Sequence, residues 1–335
     1  MNSKTYRKLV VQRFSSDFRT AIAIEELPVP TPNAGEILIR NKFAGINAGF
    51  DTLLCRGNVP YVNLTLPLDL GVEAVGEVVA IGKEVHTLKI GDAVATTQRG
   101  GGYREYQTIP ANLAIKIRDA SPEILTLMPT GISAIVALEK VGEMKSGEVI
   151  LVTAAAGGIG HIAVQLAKLA ENHVIGVCGS ETKVRLLERL GCDRIINYRV
   201  ETLDTVLQQE YSNGINLVFD CIGKQVFDTC INHLAIRGRL VVVGFISEYA
   251  NDLESVTQPR IYQKLFWKSA SVRGFLMPHF SEYAEEGRDR LLALFYSGTL
   301  KVTVDPAIFQ GIESIADAVE YLLSGQNCGK VVVRF

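Results

Sequence analysis

The run AAAGGIG at 154–160 sets small residues at three spaced positions, Ala155, Gly157 and Gly160. That spacing suits a turn that receives a pyrophosphate between a β-strand and the helix after it. The missing side chain at 157 lets the backbone approach a phosphate, and the one at 160 lets the helix lie close on the strand. Gly158 and Ile159 complete the turn, and the helix N-terminus offers unpaired N–H groups to an anion. The flanking sequence supplies the elements required: an apolar strand over 149–153, a helical pattern over 161–170 and a second strand over 174–178.

The end of that second strand bears on which dinucleotide is held. An NAD enzyme normally places Asp or Glu about 20 residues past the glycine turn to hold the ribose diol. Here the strand ends at Cys178, followed by Gly179 and Ser180. Ser180 reads as a helix cap and Glu181 as a first-turn acid that complements the helix dipole. Lys183 follows one turn later, where a solvated helix lysine is the plain alternative to a phosphate contact. The histidines (His86, His161, His173, His233, His279) show no metal-ligand spacing, and no G-x-S-x-G nucleophile turn is present. His161, in the first helical turn, reads as a packing residue.

These candidates need a scaffold, and 335 residues are enough for about two domains. A content of 47% hydrophobic and 21% charged residues is that of a globular protein, and a net charge of -2 gives no sign of nucleic acid as a partner. No stretch of about 18 uninterrupted apolar residues appears. The N-terminus lacks a signal-peptide core and the C-terminus a peroxisomal tripeptide. Six scattered cysteines without a CxxC pair read as reduced, mostly buried thiols. A cytoplasmic protein without membrane partners is expected.

Over the first 120 residues, short β-rich runs (36–43, 74–81, 93–96, 103–109) alternate with Pro/Gly turns, as in a small barrel. Residues 121–141 turn helical from Ser121-Pro122-Glu123. From 149 the strands (149–153, 174–178, 194–197, 217–220, 239–243, 271–275) alternate with helical runs (182–190, 202–210, 226–233), the pattern of a doubly wound parallel sheet. Helices over 282–296 and 312–323 and a strand over 330–333 close the chain.

Taken in order, GVEAVGEVVAIG (71–82), IGDAV (90–94), AAAGGIG (154–160), LGCDRIINY (190–198) and NCGKVVV (327–333) resemble the medium-chain dehydrogenase/reductase superfamily over essentially the whole length. GFISEY (244–249) and KSASVRGF (268–275) make the chain most similar to its zinc-free double-bond reductases. The resemblance implies an α/β protein: a GroES-like β-barrel substrate domain (1–121), a Rossmann NADPH-binding domain (122–278) and a C-terminal segment (279–335) returning to the first.

Zinc members carry a cysteine where this chain has Asn47, and Gly-His-Glu where it has Gly71-Val72-Glu73. Residues 127–133 offer neither thiol nor carboxylate as a third ligand. A catalytic zinc needs three converging protein ligands, so no metal is expected.

By the same resemblance, Gly179, Ser180, Lys183 and Tyr198 surround the 2′-phosphate of NADPH. Cys221, Val243, Phe275, Leu276, Met277 and Asn327 follow the cofactor further along, and Ser133 contacts the carboxamide. Tyr249 is matched to a tyrosine at the nicotinamide ribose and is a candidate proton donor. Asn47 is expected to contact substrate or nicotinamide, and Tyr61 to line the substrate mouth. The implied activity is zinc-independent, NADPH-dependent reduction of the C=C bond of α,β-unsaturated carbonyl compounds such as a 15-keto-prostaglandin. An NADPH:quinone oxidoreductase and a non-catalytic nucleotide-binding relative are the alternatives. A homodimer joined at the strand over 271–275 is a family expectation.

Overall fold

The computed structural model describes residues 5–61, 64–249 and 255–335, which form two units: 1–129 with 304–335, and 130–303. The first eight strands are β1 (Thr5–Val11), β2 (Ile22–Pro28), β3 (Glu36–Gly45), β4 (Leu68–Asp69), β5 (Ala74–Ile81), β6 (Ala93–Thr96), β7 (Tyr106–Pro110) and β8 (Ile115–Lys116). Then come β9 (Val149–Val152), β10 (His173–Cys178), β11 (Arg194–Asn197), β12 (Ile215–Asp220), β13 (Leu234–Val242) and β14 (Ser271–Gly274), and the chain ends with β15 (Phe309–Gln310) and β16 (Val332–Arg334).

In the first unit the long strand β3 is the hub. It pairs antiparallel with β5, β7 and β16, and β5 continues through β6 to β8. A separate antiparallel hairpin, β1 with β2, carries β4 on its other edge. The core joins Leu9, Val11, Ile46, Leu54, Leu70 and Tyr103 to Ile315, Val319, Val331 and Val333. Residues from both ends of the chain thus bury one apolar mass, and the final segment is part of this unit from Val304 onward.

In the second unit six parallel strands run β11-β10-β9-β12-β13-β14. The order reverses between β9 and β12, and open α/β sheets bind ligands beyond the strand ends at such a reversal. Strands β9, β10 and β12 are almost wholly buried apolar runs, as expected of parallel strands covered on both faces.

Three expectations need correction. The run over 121–141 is not one helix: Met128 leaves helical geometry (ψ -128) before Pro129, whose ring disfavours a helical residue ahead of it. The strand expected over 103–109 begins only at Tyr106, because Tyr103 crosses instead of laddering; its N–H donates to Leu70 O and its carbonyl accepts from Leu9 N–H. The unit limits fall at 129/130 and 303/304, not at 121 and 279, so helix Ala284–Tyr296 folds with the nucleotide unit, packed on helix Gly131–Val136. By length and composition Glu123–Val141 is apolar enough to cross a membrane, but most of it is buried in protein.

Candidate functional site

In the second unit, β9 delivers the chain into the small-residue turn and helix Gly160–Leu169 leads it away. Ala154 takes a left-handed φ of 47°, and Gly157 N–H donates to Ala154 O at 2.9 Å, which tightens the bend. A Cβ on Gly160 would stand 2.3 Å from Ala154 O and 2.7 Å from Ala155 Cα, so nothing larger than glycine fits without moving backbone. A Cβ on Gly157 would meet only Ala154 O, at 3.2 Å, and its other side is open. An anion can therefore lie directly against this backbone.

His161 braces the turn. Its Nδ1–H donates to Gly157 O at 2.8 Å while Nε2 accepts the Thr303 N–H at 3.2 Å, so the ring is a fully buried strut. That agrees with its packing role.

At the end of β10 the geometry is specific. The Tyr198 ring lies across Gly179, where a Cβ would be 2.3 Å from the phenol oxygen. Ser180 caps helix Glu181–Arg189 by accepting the Lys183 N–H at 3.4 Å, and Glu181 is exposed in the first turn. Lys183 is half-buried on that turn, and no carboxylate ends the strand. The surface formed by Gly179, Ser180, Lys183 and Tyr198 has the chemistry of a phosphate seat.

After β12 a residue not singled out in the sequence shapes the loop. The buried Asp220 carboxylate accepts from Thr153 Oγ1 (2.8 Å), Ile222 N–H (3.0 Å) and Gly223 N–H (3.1 Å), while Cys221 N–H donates to Thr153 Oγ1. Burial pushes the Asp220 pKa up. Its carbonyl also accepts from Val243 N–H, which ties the ends of β12 and β13 together. Only its position, an acid closing the apolar run LVFD, could have marked it in the sequence.

Tyr249 ends the short helix Ile246–Tyr249 and folds back on its own loop. Its hydroxyl accepts the Phe245 N–H at 3.3 Å and its ring packs on Phe245, centroids 4.6 Å apart. Phe275 follows β14, hydrogen-bonds Val242 O and stacks on Phe280; Leu276 and Met277 continue half-buried beside it. Ser133 is half-buried in the first turn of helix Gly131–Val136.

The first unit holds Asn47, Tyr61 and Asn327. Asn327 is buried and donates from Nδ2 to Gly329 O at 3.0 Å, and Tyr61 is half-exposed with its phenol pKa raised by burial. Asn47 stands at the N-cap position of helix Ala48–Cys55 without a side-chain capping bond, and it belongs to a polar cluster whose other members sequence reasoning did not assemble. Lys330 Nζ lies 2.6 Å from Glu73 Oε1, Asn47 bridges the two, and Asp51 accepts from the Tyr103 hydroxyl. Burial raises the Asp51 pKa to about 7. The signal for Lys330 was a lone charge leading into the apolar run VVV.

The family model for an alcohol dehydrogenase GroES-like domain matches residues 33–119, and that for a zinc-binding dehydrogenase matches 158–292. The chain is 42% identical to prostaglandin reductase-3 of Mus musculus, covering 99% of this chain and 90% of the relative. It is 39% identical to a probable quinone oxidoreductase of Leishmania amazonensis, covering 98% of both chains. Among solved structures, an Escherichia coli quinone oxidoreductase complexed with NADPH superposes with a TM-score of 0.82 at 27% identity, covering 98% of this chain and 100% of that one.

Proposed function

The chain belongs to the medium-chain dehydrogenase/reductase superfamily, and from that membership we propose that it is an NADPH-dependent reductase of the C=C bond of α,β-unsaturated carbonyl compounds. The likeness to prostaglandin reductase-3 carries this reading, because it runs through the barrel unit and the nucleotide unit alike. A 15-keto-prostaglandin or a related enone has the required chemistry. Quinones are a second acceptor class, supported by the likeness to the Leishmania protein over the full length of both chains.

The residues of the nucleotide unit fit NADPH. Backbone N–H groups at Gly158, Ile159 and Gly160 would take the pyrophosphate, which the missing side chain of Gly157 lets lie against the turn, and Gly179, Ser180, Lys183 and Tyr198 the 2′-phosphate, with no carboxylate at the strand end to repel it. Cys221, Val243, Phe275, Leu276 and Met277 stand at or just beyond strand ends, where they would contact the cofactor through backbone and packing. Ser133, Tyr249 and Asn327 complete the proposed set. When bound, NADPH supplies a hydride, two electrons and one hydrogen, to the substrate β-carbon. The chain's task is then to stabilise charge at the carbonyl oxygen and let a proton reach the α-carbon. Tyr249 and Asn47 are the proposed donors.

The reading includes no metal. The Glu73 carboxylate already has a cation in contact, the Lys330 ammonium, and the neighbouring position is an amide rather than a thiolate. A homodimer and a cytoplasmic location belong to the same proposal. Strand β14 ends the six-stranded sheet with one edge unpaired by the named strands, and helix Tyr262–Lys268 before it exposes Tyr262, Phe266 and Trp267. All six cysteines are free, four of them buried, which suits a reducing compartment.

The test is an assay of the purified chain with NADPH or NADH against an enone, an enal, a 15-keto-prostaglandin and a benzoquinone, in the presence of a metal chelator. Turnover of the enone with NADPH, undiminished by chelation, is expected. Turnover of quinone alone would select the second reading, and none at all would leave a nucleotide-binding relative without catalysis.

A further inference from the structure

In the barrel unit a lysine ammonium sits where solvent hardly reaches. Lys330 is 3% exposed and Glu73 fully buried, with Nζ 2.6 Å from Glu73 Oε1. The ammonium also donates to Ile46 O and to Asn47 Oδ1, both at 3.1 Å. Asn47 Nδ2 returns to Glu73 Oε1 at 2.9 Å and closes a ring of three side chains. Gly45 is part of the construction, since a Cβ there would stand 2.1 Å from Glu73 Oε1 and 2.9 Å from Lys330 Cε.

Stability alone does not account for this ring. Taking an ion pair out of water carries a large desolvation cost, and apolar residues of the same volume often serve as well or better. What the pair does is set the polarity of an amide. With an ammonium on one side and a carboxylate on the other, Asn47 has one favourable orientation, Oδ1 to Lys330 and Nδ2 to Glu73. The flipped amide would set N–H against N–H and oxygen against oxygen. One Nδ2 hydrogen goes to Glu73. Among the described residues the other acceptor near Nδ2 is Gly45 O at 3.5 Å, the outer limit of a hydrogen bond, and Asn47 is half-buried, so the amide keeps a hydrogen for a ligand atom.

We propose that Lys330 is a positioning residue for enone reduction: paired with Glu73, it holds the Asn47 amide in one orientation and presents an Nδ2 hydrogen to the substrate carbonyl oxygen. This rests on the enone-reductase reading above. As the β-carbon accepts hydride, the π pair moves towards the carbonyl and negative charge grows on that oxygen, where a fixed donor acts best. Lys330 touches no substrate, and no bond to the protein forms or breaks.

The experiment uses the full chain, 2-cyclohexenone as probe and saturating NADPH. It compares wild type, Asn47→Ala, Lys330→Met, Asn47→Ala/Lys330→Met and Lys330→Met/Glu73→Gln, reading kcat, both KM values and Tm. Asn47→Ala and Lys330→Met should each lower kcat on the order of tenfold to a hundredfold, with KM for NADPH unchanged. The Asn47→Ala/Lys330→Met double variant should be no slower than Asn47→Ala alone, because the lysine acts only through the amide. Lys330→Met/Glu73→Gln removes both charges and should regain Tm lost in Lys330→Met, yet stay slow. Should Lys330→Met not fold, this neutral pair carries the test. Additive losses, full activity of Asn47→Ala, or wild-type kcat in the neutral pair would each overturn the proposal. A wild type that does not reduce the enone would instead defeat the functional reading, and this inference with it.

Discussion

The Tyr198 ring covers Gly179 so closely that a Cβ at 179 would stand 2.3 Å from its phenol oxygen. One contact therefore joins the end of β10 to the residue just past β11, and it does so where a strand-end acid would otherwise select NAD. The absence of an acid is a negative feature, whereas the ring on the glycine is a built surface. Lys183 stands one helical turn away, its amide held by Ser180.

Lys183→Ala should raise the NADPH dissociation constant about tenfold to a hundredfold, the loss of one charge-assisted contact worth roughly 1.5–3 kcal/mol. NADH affinity should hardly change. Gly179→Ala should also weaken NADPH by pushing Tyr198 aside. Titration calorimetry with both cofactors checks this, and equal losses for NADPH and NADH in Lys183→Ala would refute the 2′-phosphate assignment.

Gly160→Ala makes a different prediction. Its Cβ would press on Ala154 O and Ala155 Cα, both backbone atoms, so the helix must move off the strand. Overpacking of this kind costs about 1–3 kcal/mol. Thermal unfolding should show the loss without ligand, and NADPH and NADH should weaken by the same factor because the turn serves the part they share.

The nucleotide unit was legible in the sequence because its signals are local: an apolar strand, a small-residue turn and a helix in about thirty residues, then repeated. The kink at Met128 was not, since the helical pattern runs through Pro129 without a gap. The barrel cluster was hidden for another reason. Lys330 and Glu73 are far apart along the chain and meet because β16 pairs with β3 beside β5. Asn47 could be singled out by comparison with zinc enzymes, but its partner in the fold is a lysine no spacing rule connects to it. Tyr249 is a third case, its loop found by motif while its hydroxyl's turn back to Phe245 is purely conformational.

Asp51 gives the protein a pH dependence of definite sign. Burial raises its pKa from 3.8 to about 7, against the opposing Tyr103 and Asn47 hydrogen bonds. Between about pH 4 and pH 7 the folded chain keeps a proton that the unfolded chain releases, so this group's contribution to stability falls as pH rises through that window. Asp51→Asn removes the titration. It keeps an oxygen for the two donors on Oδ2 and puts an uncharged nitrogen at Oδ1, which has no hydrogen-bond partner among the described residues. The Tm of the variant relative to wild type should increase from pH 5 to pH 8. A constant difference across that range would show that Asp51 titrates normally.

Tyr249 separates the two acceptor classes. In the proposed site its hydroxyl stands near the nicotinamide ribose, close to where an enone develops enolate charge and needs a proton. A quinone depends less on such a donor, because water can protonate its reduced oxygens. Tyr249→Phe should therefore lower enone turnover far more than quinone turnover, by up to roughly 2.7–4 kcal/mol of barrier where water stays excluded. The ring contact with Phe245 survives the change, while the 3.3 Å hydrogen bond from the Phe245 amide is lost, so Tm is measured alongside. Both substrates are measured at saturating NADPH, with the cofactor dissociation constant determined separately. If both activities fell together while NADPH affinity collapsed, Tyr249 would be a clamp on the cofactor and the proton donor would have to be sought elsewhere. If neither changed, the loop over 244–249 would lie outside the site.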